Sequence, residues 1–475
     1  MAVVGISRSN PLSPGRIILL KNEFEMNVNV YGIHPAGGDV EGIELYKSID
    51  DLPEIPDLLT IAVSADDTLK YIERCADLGI KGSIVIGGGF AEVGGKGIKL
   101  QERLSKIAFD NDIAVLGPNC IGVYAPPLID TIFLPTERIT RPPKGSVALI
   151  SQSGGVLIDQ FFVKFKERNI GVSTAVSIGN RAVVDESMLL EYFSKVDPDT
   201  SNIAFYLEGF QDGKARDFLR LAKESEDTVL AYFGGVTEQG KIATQSHTAS
   251  LAGNYKILKS ALQQHYIIHT KSESELLIFC KVFDVLSQRK KPFGENEIVW
   301  GNVAILSVSG GHGVLASDLL KRYGLNAVEF TEEEKEELKE NMNPTAQNIA
   351  SFNNPIDLTG SVLDTDIENM VRVLSGIERI ECIILLLLPY PPNISFQIGR
   401  RIANIITMKR KPVICFIPYV KKYEMIIESL ELANIPVFHS IKEAVQAVSA
   451  LKRRTRIHNL KKDNRFWEER MKSSR

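Results

Sequence analysis

The sequence predicts an α/β fold built from three doubly wound parallel-sheet domains. Short apolar runs alternate with helical stretches along the chain, and 475 residues are more than one hydrophobic core usually organises. The chain also contains an internal repeat: an apolar strand, a Ser-x-Ser-Gly-Gly turn and a helix occur at residues 147–156 and again at residues 303–312. The repeat indicates that one α/β unit has been duplicated.

The composition is that of an ordinary globular protein. Hydrophobic residues make up 44% and charged residues 24%, and the net charge of −4 gives no general attraction to nucleic acid or to a membrane. The longest apolar run, residues 382–388, is far shorter than the roughly 20 residues that a membrane span needs. The first residues lack the long apolar region of a signal peptide, so we expect a cytoplasmic protein.

The cysteines predict neither disulfides nor a metal site. They are odd in number, scattered, and never spaced as Cys-x-x-Cys. This pattern is typical of small core residues in a reducing compartment. The five positions are Cys75, Cys120, Cys280, Cys382 and Cys415.

In the first predicted unit, small and polar residues follow the strands. Because ligands bind parallel sheets at the carboxyl ends of the strands, these residues are candidate ligand contacts. No complete Gly-x-Gly-x-x-Gly follows the first strand, which disfavours a nicotinamide-dependent oxidoreductase without excluding it. The alternative for the glycines is turn geometry without a ligand. The strand ends lie at residues 5–9, 34–35, 64, 87–92 and 119.

The second predicted unit contains a candidate anion site. The strand at residues 147–150 is followed by a turn of small residues and then by a helix. Backbone N–H groups at the start of a helix attract anions, which makes Ser153, Gly154 and Gly155 candidates for binding phosphate. The alternative is a plain helix cap, because serine is among the commonest capping residues.

A glutamate and a histidine of the same unit suit phosphoryl chemistry. The strand at residues 202–207 places Glu208 at its carboxyl end, and His247 stands in a loop of small polar residues at 245–253. A carboxylate that holds one ring nitrogen leaves the other nitrogen as a nucleophile. The alternative is a solvated loop histidine beside an unrelated surface glutamate.

Several segments resemble those of the NDP-forming acyl-CoA synthetases, relatives of the succinyl-CoA synthetase alpha subunit. Residues 246–253 resemble that family's S-H-T-[GA]-S-L-A-G loop, and residues 5–8 resemble its G-A-S-R turn. Residues 89–92 and 117–122 resemble its G-F-x-E and G-P-N-C-x-G segments. The resemblance extends from Ala2 to about Ser449.

The resemblance implies a division of the chain and a set of coenzyme A contacts. A Rossmann-like coenzyme A-binding domain is expected over 1–142, a flavodoxin-like ligase domain with a phosphohistidine loop over 143–288, a second flavodoxin-like domain over 296–455, and a basic tail over 456–475. His34 and Ser64 stand where the family usually has Asn and Pro. The implied coenzyme A contacts are Gly5, Ser7, Arg8, Ser9, Pro35, Ser64, Gly89, Phe90, Ala91, Glu92 and Asn119.

The resemblance also implies a reaction. Acyl-CoA, ADP and phosphate would be interconverted with a carboxylic acid, coenzyme A and ATP, through an acyl phosphate and a phosphohistidine. His247 and Glu208 would be the catalytic residues, and no metal is expected beside them. No stretch resembles the family's ATP-grasp module, so we expect a separate ATP-grasp beta subunit to hold ADP or ATP with magnesium. The active particle would be a hetero-oligomer such as α2β2.

Some alternatives remain open. A non-catalytic acyl-CoA-binding or regulatory protein could keep the same fold. Residues 235–241 match the start of a P-loop, but Ile242 lacks the hydroxyl that would bind magnesium. His312 could be a second phosphate ligand or a surface residue near a helix cap, and the segment 177–180 with Asp185 could be structural or contact the acyl group. The basic tail could bind nucleic acid, form a terminal helix or dock a partner.

Overall fold

The computed structural model describes residues 1–211, 213–240, 242, 255–287, 298–389, 391–409 and 411–473, with the side chains of 407, 409 and 465–473 left aside. The chain falls into two compact units, Met1–Leu276 and Leu277–Arg475. The first unit contains two β-sheets and the second contains one. The domain boundaries expected from the sequence stay predictions.

The first sheet is formed by the strands β1 (Ala2–Val4), β2 (Tyr31–Ile33), β3 (Gly38–Val40), β4 (Ile43–Tyr46), β5 (Leu58–Ile61), β6 (Gly82–Val85) and β7 (Ala114–Leu116). Their order is β3-β4-β2-β1-β5-β6-β7, and only the β3–β4 pair is antiparallel. Parallel strands joined by helices bury both faces of the sheet, which explains why β1 reads as an uninterrupted apolar run and why Thr60 is the one polar residue of β5.

The second sheet is formed by the strands β8 (Val123–Ala125), β9 (Ile129–Asp130), β10 (Lys144–Ser151), β11 (Val172–Ser177), β12 (Asn202–Leu207), β13 (Thr228–Phe233) and β14 (Ile268–Thr270). Their order is β14-β13-β12-β10-β11-β8-β9, with β8 antiparallel to β11 and to β9. Two of these strands, β8 and β9, precede residue 143. The aromatic core beside this sheet includes the fully buried rings of Phe161, Phe165, Phe205 and Phe218.

The third sheet is formed by the strands β15 (Asn302–Ser307), β16 (Asn326–Ala327), β17 (Ile356–Asp357), β18 (Cys382–Leu386), β19 (Val413–Phe416) and β20 (Val437–Phe438). Their order is β16-β15-β18-β19-β20, and β17 pairs with β15. All of these pairs are parallel. The three largely parallel sheets confirm the predicted α/β class.

The helices connect the strands and cover the sheets. In the first unit they are α1 (Pro14–Glu25), α2 (Ala65–Leu78), α3 (Lys96–Asp110), α4 (Val163–Glu167), α5 (Glu186–Lys195), α6 (Ala215–Glu224), α7 (Tyr255–Gln264) and the start of α8 (Glu273–Ser287). In the second unit they are α9 (Gly310–Arg322), α10 (Glu332–Glu340), α11 (Pro344–Gln347), α12 (Asp364–Gly376), α13 (Ile398–Lys409), α14 (Glu424–Leu432) and α15 (Ile441–Ser473). A π-helix, Val156–Phe162, leads into α4, and short 3-10 helices occupy Ile49–Asp51, Ala91–Val93, Thr136–Arg138 and Lys421–Tyr423.

The cysteines lie in the protein interior, and most of the basic tail lies in a helix. All five cysteines are buried free thiols, as expected for core residues. The basic tail continues a helix, α15, that begins at Ile441. None of the helices in the described part of the chain combines the length and the apolar content that crossing a bilayer requires.

Candidate functional site

The first candidate turn follows β1 and requires a glycine. Gly5 has φ of +91°, and a Cβ atom at this position would lie 2.1 Å from the Ala62 carbonyl oxygen. Beyond it, the Ser7 N–H donates to Ser13 Oγ at 3.1 Å, and the Asn10 N–H donates to Ser7 Oγ at 3.0 Å. These bonds fix the turn and leave Arg8 and Ser9, two of the predicted coenzyme A contacts, exposed to solvent.

The next turn, after β2, is organised by His34. Its Nδ1 accepts the Ala36 N–H at 3.1 Å, and its carbonyl oxygen accepts the Gly37 N–H at 2.7 Å. An asparagine side chain commonly accepts a hydrogen bond from the backbone two residues on. The imidazole of His34 therefore supplies an acceptor of the kind that an asparagine side chain supplies in such turns, and it fixes the backbone just after Pro35.

Ser64 acts as the cap of α2. Its hydroxyl accepts the Asp67 N–H at 3.3 Å and donates to the Asp67 carboxylate at 2.8 Å. The residue also borders a cleft of about 520 Å³ that includes Gly88, Gly89 and the start of α3. The structure thus brings two predicted coenzyme A contacts, Ser64 and Gly89, to one cleft.

Glu92 links two loops of the first unit. Its Oε1 accepts the N–H groups of Gly89 at 2.5 Å and Phe90 at 3.2 Å, while its Oε2 accepts the Asn180 side-chain amide. The Asn180 Oδ1 in turn accepts Asn119 Nδ2 at 3.3 Å. The coenzyme contact predicted for Glu92 stays a prediction, and its hydrogen bonds show a carboxylate that positions the loops after β6 and β11.

The electrostatics of Glu92 agree with this positioning role. Partial burial would raise the pKa of its carboxyl group, but the hydrogen bonds from Asn180 and from the backbone outweigh that effect and hold the pKa below its ordinary value. The folded structure therefore favours the ionised form.

We expect Glu92→Gln to destabilise the first unit by about 1 kcal/mol at pH 7, since it removes charge-assisted hydrogen bonds at an exposed site. A lowered folded-state pKa gives a contribution that is present above the unfolded value of about 4.3 and is lost as the pH falls through the folded value. Denaturant unfolding at pH 7 and in acid should show the gap between wild type and variant closing in acid. Glu102→Gln, at an exposed position of α3, serves as control. A gap independent of pH would contradict the assignment.

The phosphate candidates and Glu208 lie at the same edge of the second sheet. The strands β10 and β12 are adjacent, with Ser151 opposite Tyr206. The Gln152 N–H donates to the Tyr206 carbonyl at 2.9 Å, and the Glu208 N–H donates to Gln152 Oε1 at 2.8 Å. Gln152, which no sequence pattern indicated, therefore ties the Ser-x-Ser-Gly-Gly turn to Glu208.

The turn itself is closed by serine side chains. Ser151 Oγ donates to the Ser153 carbonyl at 2.7 Å, and the Val156 N–H donates to Ser153 Oγ at 3.4 Å. A Cβ atom on Gly154 would lie 2.5 Å from Ile121 Cγ1, whereas one on Gly155 would meet no described atom within 4 Å. Gly154 is thus needed for packing, and Gly155 borders open space in which an anion could approach the helix.

Glu208 is partly buried and has a phenol as its neighbour. Tyr206 Oη donates to Glu208 Oε1 at 3.3 Å. Burial raises the pKa of Tyr206, and the nearby Glu208 carboxylate raises it further, so the phenol stays protonated and remains a donor. A Cβ atom on Gly234 would lie 2.6 Å from the Tyr206 hydroxyl, so the bare backbone of Gly234 leaves room for this pair. His247 lies outside the described residues, and its approach to Glu208 stays a prediction.

The segment 177–180 joins the edges of the two sheets. Ser177 Oγ accepts the Ile121 N–H at 3.2 Å, and a Cβ atom on Gly179 would lie 2.3 Å from the Pro118 carbonyl oxygen. The buried Arg181 donates to the Gly209 carbonyl at 2.9 Å, just beyond Glu208. No sequence pattern pointed to Arg181, because its partner lies 28 residues away.

The repeat in the second unit has the same local geometry. Ser307 Oγ donates to the Ser309 carbonyl at 2.7 Å, as Ser151 does to Ser153. His312 Nδ1 lies 3.1 Å from Ser309 Oγ, and its ring packs 5.9 Å from the ring of Phe416. The matching turns support duplication of one module, and they place His312 against the cap of α9.

Family models match both parts of the first unit. Residues 1–126 match a CoA binding domain, and residues 144–283 match a succinyl-CoA ligase like flavodoxin domain. The chain is 31% identical over 465 residues to the Pyrococcus furiosus acetate–CoA ligase [ADP-forming] I subunit alpha, covering 95% of each. This chain belongs to the ADP-forming acetate–CoA ligase family.

Other members of the ADP-forming acetate–CoA ligase family are longer. The chain is 32% identical to acetate–CoA ligase [ADP-forming] I of Archaeoglobus fulgidus over 96% of its own residues, yet it spans only 63% of that relative. It spans 48% of the Methanocaldococcus jannaschii relative, to which it is 34% identical.

A solved structure extends the likeness to the fold. The dinucleotide forming acetyl-coenzyme A synthetase 1 of Ca. Korarchaeum cryptofilum, in complex with phosphate and ADP, superimposes with a TM-score of 0.84. The match is 29% identical and covers 98% of this chain and 97% of that chain. The fold expected from the sequence is therefore the fold of this ligase family.

Proposed function

We propose that this chain is the coenzyme A-binding and phosphohistidine-carrying alpha subunit of an ADP-forming acyl-CoA synthetase. One observation carries the proposal: the Ser151–Gly155 turn and Glu208 lie at a single sheet edge, tied together by Gln152. A helix start that attracts anions beside a carboxylate that can orient an imidazole is the arrangement that a phosphohistidine step needs.

The proposed reaction begins with acyl-CoA bound at the first sheet. A phosphate oxygen attacks the thioester carbonyl, the C–S bond breaks, and the thiolate leaves and takes up a proton. The product is an acyl phosphate. A ring nitrogen of His247 then attacks the phosphorus atom, the bond to the acyl oxygen breaks, and the carboxylate leaves. The acyl phosphate and the phosphohistidine divide one difficult transfer of the phosphoryl group into easier steps.

In this scheme the chain's own groups handle the charge. The N–H groups at Ser153, Gly154 and Gly155 hold the phosphate before and after transfer. Glu208 accepts the proton of the other ring nitrogen of His247 and stabilises the imidazolium-like charge that develops. The Tyr206 hydroxyl, which donates to Glu208, keeps one carboxylate oxygen in place for that task.

The nucleotide half of the reaction is assigned to a partner. The Pyrococcus furiosus relative is named as a subunit alpha, which supports a second chain. We infer that a beta subunit of the ATP-grasp type receives the phosphoryl group on ADP with magnesium, in a hetero-oligomer such as α2β2. The five free thiols fit the reducing environment of a cytoplasmic enzyme.

The test compares the lone chain with a reconstituted complex. The purified chain should bind coenzyme A in calorimetry but make no ATP from acetyl-CoA, ADP and phosphate. Adding the beta subunit encoded by the same source should restore ATP synthesis. ATP made by the lone chain would contradict the partner assignment, and a complex that binds coenzyme A without turnover would favour the non-catalytic acyl-CoA-binding alternative.

A further inference from the structure

Two cationic side chains contact the same glycine turn at the far edge of the first sheet. A Cβ atom on Gly38 would lie 3.0 Å from Arg8 Cζ, and one on Gly37 would lie 3.3 Å from Lys47 Cγ. Gly37 and Gly38 have φ of +60° and +102°, a conformation that glycine adopts without strain. The turn therefore presents bare backbone between an arginine after β1 and a lysine after β4.

The two cations lack acidic partners. Both side chains are exposed, and no carboxylate in the described ranges forms an ion pair with either of them. The neighbouring Arg16, by contrast, pairs with Glu41 at 2.6 Å and also donates to the Arg8 carbonyl. Glu41 is thus already engaged, and the other two carboxylates beside the turn, Asp39 and Glu44, form no ion pair with Arg8 or Lys47 among the described residues.

The backbone of this turn is also preorganised by hydrogen bonds within the chain. His34 accepts the N–H groups of Ala36 and Gly37 through Nδ1 and its carbonyl oxygen, which fixes the backbone between the two cations. A site whose backbone is already ordered loses less conformational entropy on binding. Unpaired cations on an ordered glycine turn suit a phosphate group.

The order of the strands in the first sheet indicates which phosphate group of coenzyme A lies near Lys47. Asn119 and Asn180, where the first sheet meets the second, follow β7 and β11, whereas Lys47 follows β4. Five strand spacings separate β4 from β7 in the sheet order, which is about 24 Å. If coenzyme A lies across the strand ends with its thiol at the second sheet, its adenosine end points toward β4. The phosphate that comes closest to Lys47 is then the 3′-phosphate of the ribose.

We infer that Lys47, together with Arg8, binds the 3′-phosphate of coenzyme A and selects the coenzyme over its 3′-dephospho form. The inference rests on the proposed function and adds a specificity residue to its coenzyme site. Lys47 binds the ligand without touching the reacting thioester, so its loss changes affinity and leaves the chemical step alone.

The test measures the binding of coenzyme A and of 3′-dephospho-coenzyme A by calorimetry with the full chain. Wild type should prefer coenzyme A. Lys47→Gln should weaken coenzyme A binding on the order of tenfold, since a charge-assisted hydrogen bond is lost, and should leave 3′-dephospho-coenzyme A binding unchanged. Lys47→Arg should keep the preference. Lys106→Gln, an equal loss of charge at an exposed position of α3, should behave as wild type.

The outcomes separate this inference from the proposed function. If Lys47→Gln weakens both ligands equally, the lysine contacts the diphosphate and the inference is wrong. If the variant binds both ligands as wild type does, Lys47 contacts no phosphate and the inference is wrong while the coenzyme site stands. If wild type binds neither ligand, the proposed function fails and the inference fails with it.

Discussion

His247→Asn is expected to abolish the transfer of labelled phosphate from acyl-CoA and phosphate to this protein. Asparagine is a poor substitute for the imidazole nucleophile, and the loss of a nucleophile lowers turnover by about 10⁴-fold or more. In wild type the label should be labile in acid and stable in base, as a phosphoramidate is. The measurement is incubation of the reconstituted complex with radiolabelled phosphate and acetyl-CoA, followed by gel separation.

Two companion variants sharpen this experiment. Glu208→Gln keeps the shape of the side chain but loses the charge that steadies the imidazole, so labelling should slow by about 10²-fold without disappearing. His265→Asn is the control. His265 lies just beyond α7, with its Nδ1 2.7 Å from the Ala261 carbonyl oxygen, and labelling of this variant should equal that of wild type. Label that persists in His247→Asn would overturn the phosphohistidine assignment, and with it the role given to Glu208.

The sequence was sufficient for the parts of the site that depend on strand ends. Ser153 and Glu208 were each predicted to follow the end of a strand. The two strands are adjacent and parallel in the structure, so their carboxyl ends bring both residues to the same edge of the sheet. Gly5 could be selected because a turn after a strand often needs a glycine, and the approach of the Ala62 carbonyl shows why. These inferences need only local patterns and a general rule of topology.

Contacts between segments that are distant in the chain could not be predicted from the sequence. The bond from Asn180 to Glu92 joins residues 88 positions apart, and nothing in either segment marks the other as its partner. Gln152 and Arg181 were missed for the same reason, because each acts through a backbone group of another strand end. The roles of such residues follow from the packing of the sheets, which a single sequence does not encode in any short pattern.

Lys21, Asp130 and Arg141 form a buried charge cluster between α1 and β9 that also could not be predicted from the sequence. Lys21 donates to Asp130 Oδ1 at 3.0 Å and to the Ile132 carbonyl, and Arg141 Nε donates to the other oxygen of Asp130. The Lys21 side chain is 4% exposed and that of Asp130 is fully buried. A lysine in a helix usually faces solvent, so only the structure shows that this one joins the first helix to the second sheet.

Asp130→Asn is expected to lower the free energy of unfolding by about 3–5 kcal/mol, because it leaves two buried cations without their counter-charge. Arg141 Nη1 and Nη2 are already buried with no hydrogen-bond partner among the described residues, so the cluster has no spare acceptor to compensate. Denaturant unfolding of the full chain at pH 7 measures the effect. Asp199→Asn is the control: Asp199 pairs with Lys144 at 2.9 Å with both side chains more than half exposed, so its loss should cost at most about 1 kcal/mol.

The pH dependence identifies the lysine as the source of the loss. Burial lowers the pKa of Lys21 to about 8, although the Asp130 carboxylate opposes this shift. Because the folded value lies below the unfolded value of about 10.4, wild type should gain stability as the pH rises between the two. Without Asp130 the pKa of Lys21 falls further, so the folded variant sheds the proton at lower pH than folded wild type does. The deficit of the variant should therefore narrow as the pH rises toward 8 and stay constant above it, and a deficit that widens over this range would show that Lys21 is not the unpaired charge.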